Sequence, residues 1–447
     1  MKKKSIFNFL PPLLLAVAMM FSFSVTAKTI YVKTASAGGD DVNGDGQTWG
    51  TAYATYQKAM SVVAANDEVW IAAGTYITDY TSATVLTSND VAFSIYGGFT
   101  GDETSVNDRQ QGASGYPWDF ANPTVIQATT EHPIFYINNK RTPLVDGIIF
   151  DGNNMAPCIL FRQPTNYSGG IKNCIVKNGN AYRESPFAYS TGTNDFASGG
   201  INIGSDRNEA SGSGMPAVNT LIENCLIENN TGRLGGGIFA KRTTIINCVV
   251  RNNLAKAVAS SIVGNYTATR DNGCTGNGGG IATGHWNNTS NVVNIINCVI
   301  TGNTAEGVGG GVQAYIGGNS AGSGCNIINC IIADNHSSDG TSGMPGGGGG
   351  LNTAQWTISN VYNTLFWNNT KGAANTLNDI NRSSNSSSTF NLYNNIIPTA
   401  VTTQQPNSNT GAIVPATGTV AADLFAAYGS DQIYKTQSGI WLGFDEG

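Results

Sequence analysis

The stretch NIINCVITGNTAEGVGGGV, residues 294–312, sets the interpretation of the whole chain. It places Asn and Cys inside an aliphatic run, continues with polar residues and ends near three glycines. Seven units of this kind occur, each with Asn before a central residue and apolar residues on both sides of that pair. The Asn residues are Asn173, Asn224, Asn247, Asn297, Asn329, Asn363 and Asn394, and the central residues are Cys174, Cys225, Cys248, Cys298, Cys330, Thr364 and Asn395. Such recurrence is the signature of stacked repeats.

The spacing of the units indicates the type of repeat. Successive central residues are 51, 23, 50, 32, 34 and 31 positions apart. The shortest interval suits one turn of a parallel β-helix, whose strands pair with their equivalents one coil away at roughly 4.8 Å. Longer intervals then belong to coils with long loops, such as 181–218 and 254–277. The sequence therefore predicts an all-β, right-handed parallel β-helix, a solenoid.

A weaker copy, LVDGII, precedes the seven units. We align Asp146 with the repeated Asn and Gly147 with the central position. On this alignment the copy is 27 residues from Cys174.

The repeated pair has a structural explanation. Asn tolerates a left-handed backbone at a bend, and its amide can bond to the Asn of the next coil. Cysteine is a small side chain that is easily buried. Five of the eight cysteines share this position, which favours stacked reduced thiols over disulfides. Cys274 with Cys325 is the one bridge that the remaining cysteines suggest.

The ends of the chain differ from the repeats. Residues 1–27 contain three lysines, an apolar stretch and a terminal Ala27, as in a cleavable secretory signal. Residues 28–80 are predicted to form an N-terminal cap and the first strands, with a short capping helix within 51–64. Residues 81–400 are predicted to form the coils, and 401–447 closing strands. The protein is thus expected to be exported, without a transmembrane helix, to the extracellular space, the cell surface or the outer membrane.

The charge balance limits the partners. Without Lys2, Lys3 and Lys4, the 23 basic residues become 20 against 29 acidic ones, a net charge of about −9. Nucleic acid is a poor partner for such a chain. Low charge and high Gly content also differ from an ordinary globular enzyme.

Three N-terminal segments, YVKTASAGGDDVNGDGQTWGTAYATYQKAM, DEVWIAAGTY and IYGGFTGDETSVNDR, resemble the first part of bacterial secreted right-handed parallel β-helix proteins. The coils resemble the repeats of polymorphic outer-membrane proteins and of surface proteins of the choice-of-anchor type. This resemblance implies export and a place at the cell surface. It implies no particular chemistry.

The β-helix fold also includes polysaccharide lyases and glycoside hydrolases, so an enzyme is the alternative. The sequence contains none of the motifs that we associate with these enzymes. Lys177, Glu228 and Arg251 occupy the third position after the central cysteine in three coils, so they are expected to form an outward column. A solvated ion ladder is the favoured interpretation. A catalytic or uronate-binding face, with Arg233 nearby in sequence, is the alternative.

Two further groups are candidate binding residues. Asp40, Asp41, Asn43 and Asp45 could bind Ca²⁺ through their oxygen atoms, but an Asx-rich turn before the capping helix is the favoured interpretation. No other cofactor is expected. Tyr182, Tyr189, Tyr266 and Tyr315 lie in the predicted loops, where they could stack on sugar rings. Loops that only cover their own coil are an equally good interpretation. The sequence thus favours an exported, non-enzymatic, adhesin-like or glycan-binding β-helix protein whose partners are glycans or other cell-surface molecules.

Overall fold

The structure is a computed structural model of the chain. It describes residues 27–78, 91–138, 141–162, 168–182, 197–204, 219–257, 276–284, 291–314, 324–338, 347–353, 358–382, 389–397 and 408–410. The predicted signal sequence and most of the predicted closing strands lie outside these residues.

The described strands form four sheets that run along the length of the solenoid. Sheet 1 has 12 strands: Thr29–Val32, Glu68–Ala72, Ser94–Phe99, Thr142–Asp146, Ser168–Lys172, Thr220–Glu223, Thr243–Ile246, Val292–Ile296, Gly324–Ile328, Ile358–Tyr362, Thr389–Tyr393 and Ser408–Thr410. Sheet 2 has nine: Gly74–Thr78, Thr124–Ala128, Ile148–Asp151, Ile175–Lys177, Leu226–Glu228, Val249–Arg251, Val299–Thr301, Ile331–Ala333 and Leu365–Trp367.

Sheets 3 and 4 complete the coils. Sheet 3 has eight strands: Phe135–Asn138, Ile159–Arg162, Ile201–Ile203, Ile238–Ala240, Ile281–Thr283, Val312–Ala314, Leu351–Thr353 and Ile380–Arg382. Sheet 4 has six short ones: Thr231–Gly232, Leu254–Ala255, Thr304–Ala305, His336–Ser337, Thr370–Lys371 and Thr376–Leu377. Among the described strands, every pairing within the sheets is parallel except the last one of sheet 4. The predicted parallel β-helix is confirmed.

One coil shows how the repeat produces this path. Val292–Ile296 belongs to sheet 1, Val299–Thr301 to sheet 2, Thr304–Ala305 to sheet 4 and Val312–Ala314 to sheet 3. The chain then re-enters sheet 1 at Gly324–Ile328. Each strand is therefore hydrogen-bonded to the equivalent strand of the next coil.

Residues with a left-handed backbone make the bends. Asn297 has φ 51° between sheets 1 and 2, Gly302 has φ 61° between sheets 2 and 4, and Gly309 has φ 70° before sheet 3. Asn is tolerated there because its short polar side chain bonds locally, and Gly because it lacks Cβ. At Gly279 a Cβ would lie 2.4 Å from the carbonyl oxygen of Gly310, so the neighbouring coil leaves no room for a side chain.

The inward side chains form one continuous apolar core from Ile30 to Ile397. In the coil that begins with Val292–Ile296, the side chains of Ile295, Ile300 and Val312 are fully buried. Because equivalent residues stack from coil to coil, each apolar position extends into a dry column.

A short helix, Tyr56–Val62, covers the N-terminal end, as predicted. Tyr56, Ala59 and Met60 on one face are buried in the same core. The Thr55 hydroxyl accepts from the backbone N–H of Lys58 at 3.2 Å, which caps the helix. Three short 3₁₀ helices, Ala35–Ala37, Trp49–Thr51 and Val106–Asp108, lie in the neighbouring loops.

The alignment of the LVDGII copy is wrong by one residue. Asp146 pairs with Lys172, two positions before Cys174, so Gly147 rather than Asp146 corresponds to the repeated Asn. Gly147 makes the bend with φ 76°, and Ile148 fills the position of the cysteine, 1% exposed. The error arose because both Asn and Gly adopt this backbone conformation, whereas Asp146 only resembles Asn chemically.

Candidate functional site

The outer face of sheet 1 carries a row of amides in four consecutive strands, the eighth to the eleventh of the sheet. Asn294, Asn326, Asn360 and Asn391 are in register in adjacent strands and half-buried. We call these four residues the amide row. Each later residue donates from Nδ2 to the Oδ1 of the one before it, at 2.9 Å in all three steps. Because a carboxamide has two N–H donors and two acceptor lone pairs, every residue retains capacity for a further hydrogen bond.

A parallel column of apolar side chains lies two residues further along each strand. It consists of Ile246, Ile296, Ile328, Tyr362 and Tyr393, which we call the apolar ridge. All five are half-buried. The rings of Tyr362 and Tyr393 stack on each other, with centroids 4.7 Å apart and planes 9° from parallel. The ridge and the amide row share one face because side chains two residues apart point to the same side of a strand.

Neither column contains a charged residue in these coils. The charges begin on earlier strands of the same sheet, where Asp146, Lys172 and Glu223 continue the line of the ridge. Lys172 Nζ lies 3.1 Å from Glu223 Oε2, so these two charges compensate each other. The outer face of sheet 1 therefore has a charged middle and an uncharged C-terminal part.

The N-terminal part of this face is covered by the chain itself. Arg109 Nη1 donates to Asp146 Oδ1 and to the carbonyl of Gly97, both at 3.0 Å. Its guanidinium lies 4.9 Å from the ring centroid of Phe120. Arg109 thereby fixes the segment after Ser94–Phe99 against sheet 1 at Asp146. Among the described residues, the outward side chains in the line of the ridge are partly exposed from Lys172 onward.

The structure places Lys177, Glu228 and Arg251 in register on the outer side of sheet 2, as expected. Arg251 donates from Nε to Glu228 Oε2 at 2.8 Å, and its Nη2 lies 2.8 Å from the same oxygen. Lys177 Nζ lies 3.9 Å from Asp151 Oδ2 in the preceding coil. The column thus alternates in sign, and each charge has a partner. This geometry is that of an ion ladder.

Arg233 does not join this column. It follows the sheet 4 strand Thr231–Gly232 and is 1% exposed. The topology therefore places it on a different side of the coil from Glu228, which ends a strand of sheet 2.

Only one of the four candidate tyrosines is described. Tyr182 is half-buried, and Lys256 Nζ lies 4.3 Å from its ring centroid. Tyr189, Tyr266 and Tyr315 lie outside the described residues.

The Asp-rich segment forms local turns. Asp40 accepts from the backbone N–H of Val42 and Asn43 and from Asn43 Nδ2, and these bonds lower the pKa of its carboxyl. A hydrogen bond from Thr51 lowers the pKa of Asp45 in the same way. Asp41 accepts from Ala54 and Thr55. Among the described residues, no group of three or more His, Cys, Asp or Glu side chains is arranged to hold a metal, and Ca²⁺ binding stays a prediction.

The structure places the repeated Asn residues in a hydrogen-bonded column at the corner between sheets 1 and 2. Asn224 donates to Asn173 at 3.2 Å, and Asn247 to Asn224 at 3.2 Å. The central cysteines Cys174, Cys225, Cys248, Cys298 and Cys330 are buried free thiols. Both columns serve the stack and have no exposed reactive group.

Two amide columns were missed by sequence reasoning. One is the amide row, whose signal is an Asn four residues before the central position, as in NIINC, NVYNT and NLYNN. The other is fully buried and contains Asn230, Asn253, Asn303, Asn335 and Asn369, five residues after the central position. Both signals were visible as repeated Asn at fixed offsets.

No protein family and no curated protein matches the sequence. Among solved structures, the crystal structure of pectate lyase Pel9A is similar with a TM-score of 0.38 and 15% identity, over 94% of this chain and 90% of that chain. This likeness is too distant to assign an activity. In the described part of the chain, no helix has the length and hydropathy to cross a membrane.

Proposed function

We propose that the protein is an exported, non-enzymatic glycan-binding protein of the extracellular space or cell surface, and that it binds neutral polysaccharide through the open outer face of sheet 1. The observation that carries this proposal is the amide row beside the apolar ridge. Sugars combine hydroxyl groups with apolar C–H faces, so they match a surface that offers both amides and apolar side chains.

The absence of charge on this part of the face, among the described strands, selects the class of glycan. A uronic-acid polymer would approach a chain of net negative charge without a cation on the binding face to offset its carboxylates. A neutral glycan has no such repulsion. Each amide–hydroxyl bond contributes only about 1 kcal/mol net, so useful affinity requires several coils acting together.

The geometry of the ion ladder supports binding rather than cleavage. A general base must be able to reach the proton that it removes. Glu228, the carboxylate of the candidate column, already bonds to Arg251 at 2.8 Å. The guanidinium of Arg251 therefore occupies the oxygen atom that a general base would need to present to a substrate.

The test is binding of the purified chain to cellulose, chitin, xylan, mannan and polygalacturonate, with product release from each polymer measured in parallel. The informative variant is Asn360→Asp, which removes one donor of the amide row and adds a negative charge. Asn252→Asp is the matched control, because Asn252 is exposed, has φ 54° and lies at the corner between sheets 2 and 4.

We expect at least one neutral polymer to be bound and left intact. Asn360→Asp is expected to weaken binding about tenfold, the equivalent of roughly one amide–hydroxyl hydrogen bond, whereas Asn252→Asp leaves binding unchanged. Release of oligosaccharides would instead support the lyase or hydrolase alternative. Equal effects of the two substitutions would reject sheet 1 as the binding face.

A further inference from the structure

We infer that the face formed by the amide row and the apolar ridge recognises an ordered, insoluble neutral polysaccharide, lying flat with its surface pattern parallel to the solenoid axis. This inference rests on the proposed function and specifies the physical state of the ligand. Soluble single chains of the same sugar are then much weaker ligands.

The first reason is the regularity of the face. From Thr142 onward, the described strand pairs of sheet 1 are in register without a shift. Equivalent side chains therefore repeat at the strand spacing of roughly 4.8 Å. The same amide group repeats in each strand from Asn294 to Asn391. The pattern is therefore a regular row along the solenoid axis, whereas a pocket would fit one sugar unit.

The second reason is the way the aromatic rings are used. A ring that binds a single sugar offers its face to it. The faces of Tyr362 and Tyr393 are turned toward each other, 4.7 Å apart and 9° from parallel. The pair therefore presents ring edges to solvent, in line with Ile296 and Ile328. Such edges make a ridge that a flat surface can lie on, and they provide no stacking platform for one mobile sugar.

The third reason is the lack of a wall at one side. At the corner between sheets 1 and 2, a single left-handed residue such as Asn297 or Asn329 turns the chain directly into the next strand. Among the described residues, a single polysaccharide chain on this face would have no lateral contact at this corner, while losing its conformational freedom. A chain already fixed in a solid has lost that freedom before it binds, so the same weak contacts suffice.

The test compares two preparations of one polymer, crystalline and acid-swollen cellulose, and the same pair for chitin. Binding isotherms are normalised to accessible surface, and soluble oligosaccharides of each polymer are measured by calorimetry. The informative variant is Ile296→Trp, which raises a ring above the ridge. The control is Thr301→Trp, because Thr301 lies in the same coil on the outer side of sheet 2.

We expect at least tenfold tighter binding to a crystalline preparation than to its swollen form. Ile296→Trp is expected to weaken binding to the crystalline form about tenfold and to leave soluble oligosaccharide binding equal or stronger, since the raised ring offers a stacking face. Thr301→Trp is expected to change neither the binding to the crystalline form nor the binding to soluble oligosaccharides.

Two results distinguish failure of this inference from failure of the proposed function. Binding that is equal on both preparations and on soluble chains would overturn the inference and leave glycan binding standing. No binding to any form would overturn both. Unchanged crystalline binding in a folded Ile296→Trp protein would also overturn the inference.

Discussion

Cys330 and Thr364 occupy consecutive rungs of one buried column, and the backbone N–H of Cys330 donates to the Thr364 hydroxyl at 3.3 Å. Thr364 in turn donates to the carbonyl of Tyr362 at 2.9 Å. Cys330 Sγ lies 3.3 Å from the equivalent carbonyl, that of Ile328. Sulfur and hydroxyl are therefore interchangeable at this position when the hydroxyl finds the same acceptor.

The first prediction follows from this exchange. Cys330→Thr is expected to lower the free energy of unfolding by no more than about 1 kcal/mol, because the hydroxyl has an acceptor and the volume is similar. Cys298→Leu is expected to cost about 2–3 kcal/mol, since the stacked coils leave no room for extra methyl groups. Chemical denaturation of both variants checks this. Equal losses would show that the column does not constrain side-chain size.

The second prediction concerns pH. Burial raises the pKa of Cys325 to about 12 and raises the pKa of Cys298 and Cys330 well above the ordinary value. Above about pH 9 the unfolded chain loses these protons and the native chain retains them, so the free energy of unfolding falls as pH rises. Chemical denaturation at pH 8 and at pH 10 measures this decrease in the free energy of unfolding. The decrease should be smaller in the Cys325→Ser variant.

The same burial should protect the thiols from reagents. In a Cys274→Ala background, used because Cys274 lies outside the described residues, an aromatic disulfide reagent should label no cysteine in the native protein at pH 8. Labelling of all seven should follow unfolding. Rapid native labelling would contradict the buried, stacked arrangement.

The third prediction separates the buried amide column from the half-exposed amide row. The Oδ1 of Asn335 accepts from the backbone N–H and the Nδ2 of Asn303, at 3.0 and 2.9 Å, and Asn335 is fully buried. Asn335→Ala leaves the backbone N–H of Asn303 and one of its two Nδ2 hydrogens without an acceptor, while the other Nδ2 hydrogen keeps the carbonyl of Val250, and the substitution is expected to cost about 3 kcal/mol. Asn326→Ala, where water can replace the lost bonds, is expected to cost about 1 kcal/mol or less. Denaturant unfolding measures both, and the reverse order would be inconsistent with the structure.

The fourth prediction tests the close contact between coils. A Cβ at Gly279 would lie 2.4 Å from Gly310 O and 2.5 Å from backbone atoms of Thr304. Gly279→Ala should therefore lower the unfolding free energy by about 3 kcal/mol or prevent folding, because backbone must move. At Gly50 the nearest atom is 3.7 Å away, so Gly50→Ala should be near neutral. Normal stability of Gly279→Ala would contradict the close contact between coils at this bend.

Much of the fold could be predicted because a solenoid repeats each local requirement. Asn297 and its equivalents recur at the bend between sheets 1 and 2. Ile295 and its equivalents recur at an inward-facing position of sheet 1. The LVDGII copy was misaligned because Gly147 alone makes its bend, without the Asn that marks the other copies. Its register became evident only from the pairing of Asp146 with Lys172.

The candidate site was harder to predict. The column of Lys177, Glu228 and Arg251 was visible, because charged residues stand out in a sequence in which only 12% of the residues are charged. The amide row was overlooked, since Asn360 resembles the many Asn residues that serve bends. Only the strand register assigns Asn360 to an outer face and Asn369 to the interior.

The most direct test of the central claim is a binding isotherm of two charge-matched variants on the best neutral polysaccharide. Ile328→Lys places a cation on the apolar ridge, and Ala333→Lys places the same cation in the same coil on the outer side of sheet 2. If sheet 1 is the binding face, Ile328→Lys weakens binding at least tenfold and Ala333→Lys has no effect. If both variants bind like the parent protein, the outer face of sheet 1 is not the glycan-binding surface.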